Sequence, residues 1–274
     1  MPLWLPPSAL GPTEINVTAT DRNGTTITTG AANTKGAYSA GQIFASVAED
    51  VVGVTVAATG VAVSAGNTGY LLDLGIGPSG SEVDLIQNID FGAAQVESSG
   101  FNAYFFPVFI PKGERLAARA QGAVVNDVAE VIVVLHRAPA GWAMEVPKLW
   151  ESLGAVTASS RGTLVSAANG AFGSWTTIAT TTKNYDRWHV GFDLAADTTA
   201  SNSVNVIELG FGPDTANVST IGTWVWFETG VEASFGPIPN SPVYQPIPSG
   251  TAIFARIAGS HNEARGIIVY GGVS

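Results

Sequence analysis

The sequence contains no cysteine and only three histidines in 274 residues. The absence of cysteine excludes disulfide bonds, thiolate metal ligands and cysteine nucleophiles. His136, His189 and His261 have no metal-ligand spacing such as H-x-H or H-E-x-x-H, so we expect no zinc site. The sequence also has no G-x-S-x-G elbow and no complete glycine-rich phosphate loop. It therefore predicts no catalytic, cofactor or metal site, and a protein that is not an enzyme.

Charged residues are scarce, at 12% of the chain against about 25% in a typical soluble protein. The formal net charge is -10, so repulsion from phosphate opposes direct binding to nucleic acid. The lysines and arginines are scattered and form no basic stripe. A soluble chain with so few charges either keeps its water-facing strand positions polar with Thr, Ser and Asn or hides part of its surface in an assembly, and we favour the assembly.

Residues 1–16 form a proline-rich N-terminal arm that lacks the basic region of a signal peptide and the apolar length of a membrane span. We expect synthesis in a cytoplasm and no membrane partner. The arm carries four large apolar side chains that are costly to leave in water: Leu3, Trp4, Leu5 and Leu10. We therefore predict that it docks on its own body or on a neighbouring subunit.

A long internal repeat is the most informative feature of the sequence. Residues 71–78 return as residues 206–213 with four of eight positions identical, and residues 111–122 return as residues 248–259. Both matches fit one alignment, so the chain is a duplication of a unit large enough to bury its own core. Two similar modules favour a building block or a binding protein over an enzyme.

Short alternating or apolar runs separated by Gly, Asn and Asp indicate β-strands in both units. The predicted fold is all-β, with two tandem antiparallel β-sandwiches that are jelly-roll-like. The first sandwich is assigned to residues 17–137 and the second to residues 155–274. A linker at residues 138–154, with one or two helical turns over 146–153, is expected to pack on the domains through Trp142 and Trp150.

The repeat places Arg119 and Arg256 at the same position of equivalent strands, and Asp73 and Glu208 at another. A structural ion pair between the arginine and the carboxylate is the favoured interpretation. The alternative is that Arg119 and Arg256 contact a neighbouring subunit.

Trp224 and Trp226 lie two residues apart on a predicted strand, so both indoles point to the same side. β-Sandwich modules stack sugar rings on such pairs, which suggests a polysaccharide-binding surface. The competing interpretation is that the two indoles fill the core or an interface.

The phrase Pro-x-Gly-x-x-Leu/Ile-x-Ala-Arg occurs at Pro111–Arg119 and Pro248–Arg256, with Leu-Gly-Ile/Phe-Gly-Pro upstream of each copy. These motifs resemble the β-sandwich repeats in virion proteins of tailed bacteriophages. The resemblance implies a structural protein of the particle, such as a neck collar, capsid decoration or tail-associated protein, that packs with its own copies and other virion proteins. It carries no catalytic residues. The alternative function is a polysaccharide-binding module of a phage fibre or spike that contacts a host surface through Trp224 and Trp226.

Overall fold

The computed structural model consists of β-strands and two short 3-10 turns in the part of the chain that it describes. This part comprises residues 11–17, 24–61, 70–91, 102–126, 128–138, 145–155, 157–160, 162–193, 203–229, 232–234, 241–262 and 264–274. No helix in these ranges is long and apolar enough to cross a membrane. The prediction of an all-β fold is confirmed.

The first repeat unit contributes nine strands. They are β1 (Gly11–Ile15), β2 (Thr25–Thr28), β3 (Gln42–Phe44), β4 (Gly53–Val61), β5 (Tyr70–Ile76), β6 (Val83–Phe91), β7 (Asn102–Phe106), β8 (Leu116–Gly122) and β9 (Val128–Arg137). Antiparallel pairing arranges eight of them as two sheets, β2-β9-β4-β7 and β3-β8-β5-β6. Apart from the β5-β6 hairpin, consecutive strands lie in alternate sheets, and this strand order is that of a jelly roll.

The second unit repeats the same topology. Its strands are β10 (Leu149–Leu153), β11 (Thr163–Asn169), β12 (Thr176–Thr180), β13 (Tyr185–Asp193), β14 (Ser203–Gly212), β15 (Ser219–Thr229), β16 (Glu232–Ser234), β17 (Val243–Ile247), β18 (Ala252–Gly259) and β19 (Ala264–Val273). The sheets are β11-β19-β13-β17 and β12-β18-β14-β15, with β16 added beside β15. Each of the eight jelly-roll strands therefore has a counterpart in the other unit.

The duplication extends to the register of the strands. Asp73 on β5 lies opposite Arg119 on β8, and Glu208 on β14 lies opposite Arg256 on β18. The predicted equivalence of Arg119 with Arg256 is thus confirmed at the level of single residue pairs. Because side chains alternate between the two faces of a strand, the two ion pairs lie on equivalent faces of equivalent sheets, one in each jelly roll.

The junction of the two units differs from the sequence-based prediction. The helical turns predicted for residues 146–153 are wrong, because Leu149–Leu153 is strand β10, antiparallel to β19 and bridged in parallel to β6 at Trp150 and Ile86. Residues 11–15, assigned above to the arm, form β1 and pair with β9. Residues 1–10 lie outside the described part of the chain.

One hydrophobic core runs through both jelly rolls. Its buried residues extend from Ile27 and Val54 in the first unit through Trp150 to Val190 and Ile267 in the second, without a break between them. Strand β10 joins the β3-β8-β5-β6 sheet of the first unit to the β11-β19-β13-β17 sheet of the second. The two predicted sandwiches are therefore packed as one body.

Candidate functional site

The two equivalent arginines anchor two polar clusters on the outer faces of the jelly rolls. On β8, Leu116, Ala118 and Ala120 are buried in the core, so strand alternation turns Arg119 to the opposite face. Its Nε donates to Asp73 Oδ2 at 2.9 Å and its Nη2 donates to Asp84 Oδ1 at 2.9 Å. The sequence-based prediction of a structural ion pair is confirmed for this unit.

Asp73 is the centre of the first cluster. Its side chain is fully buried, and besides Arg119 it accepts hydrogen bonds from Lys35 Nζ at 2.6 Å and from the backbone N–H of Asn88 at 2.8 Å. Two cations and one backbone donor thus compensate the desolvation of one carboxylate. Lys35 and Arg119 keep about a quarter of their side-chain surface in water.

A tyrosine completes the first cluster. Tyr38 donates from its hydroxyl to Asp84 Oδ1 at 2.6 Å, and the guanidinium of Arg119 lies 4.4 Å from its ring centroid. Burial, reinforced by Asp73 and Asp84, raises the pKa of Tyr38 far above its usual value, so the hydroxyl stays protonated. The ring covers Gly75, where a Cβ would come within 2.6 Å of Tyr38 Cζ. The first glycine of the Leu-Gly-x-Gly-Pro motif therefore provides space for the tyrosine.

The second cluster has the same plan and less charge. Arg256 donates from Nε to Glu208 Oε2 at 2.6 Å, and its guanidinium lies 4.3 Å from the ring centroid of Trp175 and 4.7 Å from that of Phe172. A Cβ on Gly210 would come within 3.1 Å of the Trp175 ring. The confirmed ion pair, the aromatic ring and the glycine are thus all duplicated.

The two clusters differ at the positions that carry charge in the first unit. Phe172 takes the place of Lys35, since both precede the equivalent aromatic residue by three positions, and Thr220 takes the place of Asp84 opposite the motif glycine. Tyr38 and Trp175 were not among the residues predicted from the sequence. They follow the same repeat as the arginines, which is the signal that could have revealed them.

Charges within each cluster are matched. Burial opposes the charge on Arg119, but its hydrogen bond to Asp73 and the neighbouring negative groups outweigh it and raise the pKa of Arg119. A permanently charged arginine that contacts carboxylates and an aromatic ring links adjacent strands and stabilises their pairing. Whether Arg119 or Arg256 also contacts another subunit stays a prediction.

The remaining interface candidates fall into two groups. Trp150 is fully buried, donates from Nε1 to the carbonyl of Pro107 at 2.8 Å, and packs edge-on against Phe106 at 5.3 Å. Trp150 thus holds β10 against the first unit. The linker was predicted to pack on the domains through Trp142 and Trp150, and Trp150 does so. The other candidates lie outside the described residues: Leu3, Trp4, Leu5, Leu10 and Trp142.

The sugar-stacking hypothesis for Trp224 and Trp226 is corrected by their burial. The two indoles do share one side of β15, but they are only 3% and 0% exposed. That side faces the core, where Trp226 stacks on Phe192 at 5.2 Å. Such buried rings offer no platform to a sugar.

His136 and His189 are buried and contribute to packing. His189 is fully buried among the rings of Tyr104, Phe106 and Tyr270, with centroid distances of 5.4 to 6.3 Å. Burial lowers the pKa of His136, which shares a 2.8 Å hydrogen bond with Thr55. Among the described residues, no three His, Asp or Glu side chains are grouped so that they could hold a metal ion.

No protein-family model and no curated protein matches this sequence. Solved structures with some similarity include PNGF-II, with a TM-score of 0.37, 9% identity, and coverage of 98% of this chain and 66% of that chain. Infectious bursal disease virus, Gx strain, gives a TM-score of 0.21 with 11% identity, 99% of this chain and 74% of that chain. These neighbours are low-identity β-sandwich proteins, and the jelly-roll assignment itself is made from strand order and register.

Proposed function

We propose that the chain is a non-enzymatic structural protein of a virus particle, and that the particle is a tailed bacteriophage. Many copies pack with one another and with other virion proteins in a neck collar, on the capsid surface or at the tail. The protein acts there as a rigid block and binds neither nucleic acid nor a membrane. The duplicated motifs at Pro111–Arg119 and Pro248–Arg256, which resemble those of phage virion proteins, support this role.

The observation that carries the proposal is the single core shared by the two jelly rolls. A joint built from β10, with Trp150 buried in it, resists bending because any hinge motion would expose packed aromatic surface. The clusters around Arg119 and Arg256 reinforce adjacent strands with matched charges. Rigidity of this kind suits a component that has to hold a fixed position among many neighbours.

Imaging of the native particle tests the proposal. Particles purified from an infected culture and labelled with an antibody against this chain should show many copies at regular positions on the neck, capsid or tail. Mass spectrometry of the same particles should detect the chain at a stoichiometry well above one. Absence of the chain from purified particles, with abundant protein in the lysate, would contradict a virion role.

Deletion of residues 1–10 tests the predicted arm. Because β1 begins at Gly11, the cut leaves that strand intact, and we expect the thermal transition of the purified protein to stay unchanged. Incorporation into particles should fall, since each large apolar side chain removed contributes about 1.5 to 3 kcal/mol when it is buried. The measurement is the amount of truncated chain in particles from an infection that supplies only this form. Full incorporation would show that the arm is dispensable, and would move the predicted contact to the segment around Trp142.

A further inference from the structure

The outer face of the β12-β18-β14-β15 sheet carries a contiguous group of apolar side chains. This open face consists of Phe172, Val204, Val206, Val225 and Phe227. Val204 lies opposite Phe227 and Val206 lies opposite Val225 on adjacent strands. Phe172, Val204, Val225 and Phe227 are each 38% to 42% exposed. Such a patch on the surface of a soluble protein marks an interaction site.

The same face of the first jelly roll is covered. Register makes Leu71 and Asp90 the counterparts of Val206 and Val225, because they form the equivalent pair on β5 and β6 two residues from the ion-pair carboxylate. Leu71 is 1% exposed and Asp90 is 0% exposed, whereas Val225 is 41% exposed. The same surface therefore occurs twice in the chain, buried in the first jelly roll and exposed in the second.

The second unit covers the face of the first. Asn88, whose backbone N–H donates to Asp73, donates from Nδ2 to Ser152 Oγ at 2.7 Å. The hydroxyl of Tyr270 accepts from the backbone N–H of Asp90 at 2.8 Å. Ser152 on β10 and Tyr270 on β19 lie opposite each other, so two adjacent strands form the covering edge.

The first unit has its own version of this covering edge. Ile15 on β1 lies opposite Val134 on β9, as Ser152 lies opposite Tyr270. Val134 and Tyr270 are equivalent because each lies three residues after the partner of the first residue of the equivalent strands β2 and β11. These first residues are Thr25, opposite Val131, and Thr163, opposite Ile267. Ile15 is 52% exposed and Val134 is partly exposed. The edge at Ile15 and Val134 is apolar, whereas the edge at Ser152 and Tyr270 is polar.

We propose that copies of the chain join head to tail, with the covering edge of one copy, at Ile15 and Val134, packed on the open face of the next. The contact repeats the one that joins the two jelly rolls within a chain. Its chemistry is matched on both sides: polar Ser152 and Tyr270 meet Asn88 and Asp90 inside the chain, and apolar Val134, with Ile15 beside it, meets Val225 between chains. The interface joins two different surfaces, so successive copies form a ring or a filament.

This inference rests on the proposed function, which requires assembly in many copies, and it names the surfaces that assemble. Its test is Val225→Glu on the open face and Ile15→Glu on the covering edge, with Phe227→Glu as a second open-face variant. All three positions are exposed, so we expect the thermal transition of each variant to match the unsubstituted chain. Sedimentation velocity over a concentration series should show oligomers of the unsubstituted chain and self-association about 10-fold or more weaker in each variant.

Mixing provides the sharper result. An Ile15→Glu copy keeps its open face and a Val225→Glu copy keeps its covering edge, so an equimolar mixture should form a one-to-one dimer that cannot grow further. Val83→Glu is the matched control, because Val83 is 63% exposed and belongs to neither surface. It should assemble like the unsubstituted chain.

Three results would overturn the head-to-tail contact: a monomeric unsubstituted chain at high concentration, undiminished association of Val225→Glu and Phe227→Glu, or no dimer in the mixture. A monomeric chain or undiminished association of the open-face variants would show that no second copy binds the open face. The absence of a dimer in the mixture would favour a symmetric contact. These outcomes are separable from the virion role. A chain that associates as described but is absent from particles keeps the interface and loses the proposed function, whereas a monomer found in particles does the reverse.

Discussion

Replacement of Asp73 by asparagine is expected to lower the free energy of unfolding by about 3 kcal/mol, a large part of the 5 to 15 kcal/mol that stabilises a typical domain. The substitution keeps the shape of the side chain and removes its charge. It leaves Lys35 and Arg119, which contact Asp73 Oδ2 at 2.6 and 2.9 Å, without their shared carboxylate.

The size of this effect follows from burial and from the number of donors. Asp73 is fully buried, and among the described residues its carboxylate accepts from three hydrogen-bond donors: Lys35 Nζ, Arg119 Nε and the backbone N–H of Asn88. If the asparagine oxygen takes the position of Oδ2, it can accept from Lys35 and Arg119, but its NH2 group then faces the backbone N–H of Asn88. If the oxygen takes the position of Oδ1, the NH2 group faces the two cations instead. A buried donor placed against another donor costs more than the loss of a hydrogen bond.

The repeat supplies a matched control, Glu208→Gln. Glu208 occupies the equivalent position, but its side chain is 12% exposed, and its partners are Arg256 and the hydroxyl of Thr220. We expect this variant to lose about 1 kcal/mol, because water can still solvate the ions. Urea denaturation of both variants against the unsubstituted chain gives the comparison. Equal losses would show that burial of Asp73 does not set the strength of its cluster.

The sequence predicts the fold well because the repeat and the strand alternation carry independent information. The motif around Leu74 matches the motif around Leu209, and this match is enough to align the units. Side-chain alternation then assigns Arg119 and Arg256 to equivalent faces. The register of β5 with β8 and of β14 with β18 confirms both steps. Identical local rules in two copies leave little room for a different topology.

The sequence does not predict how the units meet, because periodicity cannot show which face of a strand another unit covers. Trp224 and Trp226 share a side, as predicted, but alternation alone cannot distinguish the core from solvent. Strand β10 is similarly hidden, since Trp150 and its neighbours form a short run between prolines and charged residues. Its strand conformation depends on pairing with β19, which lies more than 100 residues later.

Replacement of Trp150 by alanine is expected to lower the free energy of unfolding by about 3 to 5 kcal/mol, through the apolar surface lost and the cavity that remains. Trp150 is fully buried, and its indole donates to Pro107 in the first unit while its backbone pairs with Gly272 in the second. The partial exposure of Trp175 makes Trp175→Ala the matched control, and we expect a loss of about 1 to 2 kcal/mol there.

The shape of the Trp150→Ala transition tests the shared core. Since buried residues run without a break from one jelly roll to the other, loss of the indole should destabilise both units together. Amide exchange on β9 and on β13 should accelerate to a similar extent, and far-UV and near-UV signals should report coincident unfolding. A variant that unfolds in two separate steps, with protection lost on one strand and kept on the other, would show that the jelly rolls are independent domains. The contact at Trp150 would then be a surface between them, and the rigidity on which the proposed structural role depends would have to come from neighbours in the assembly.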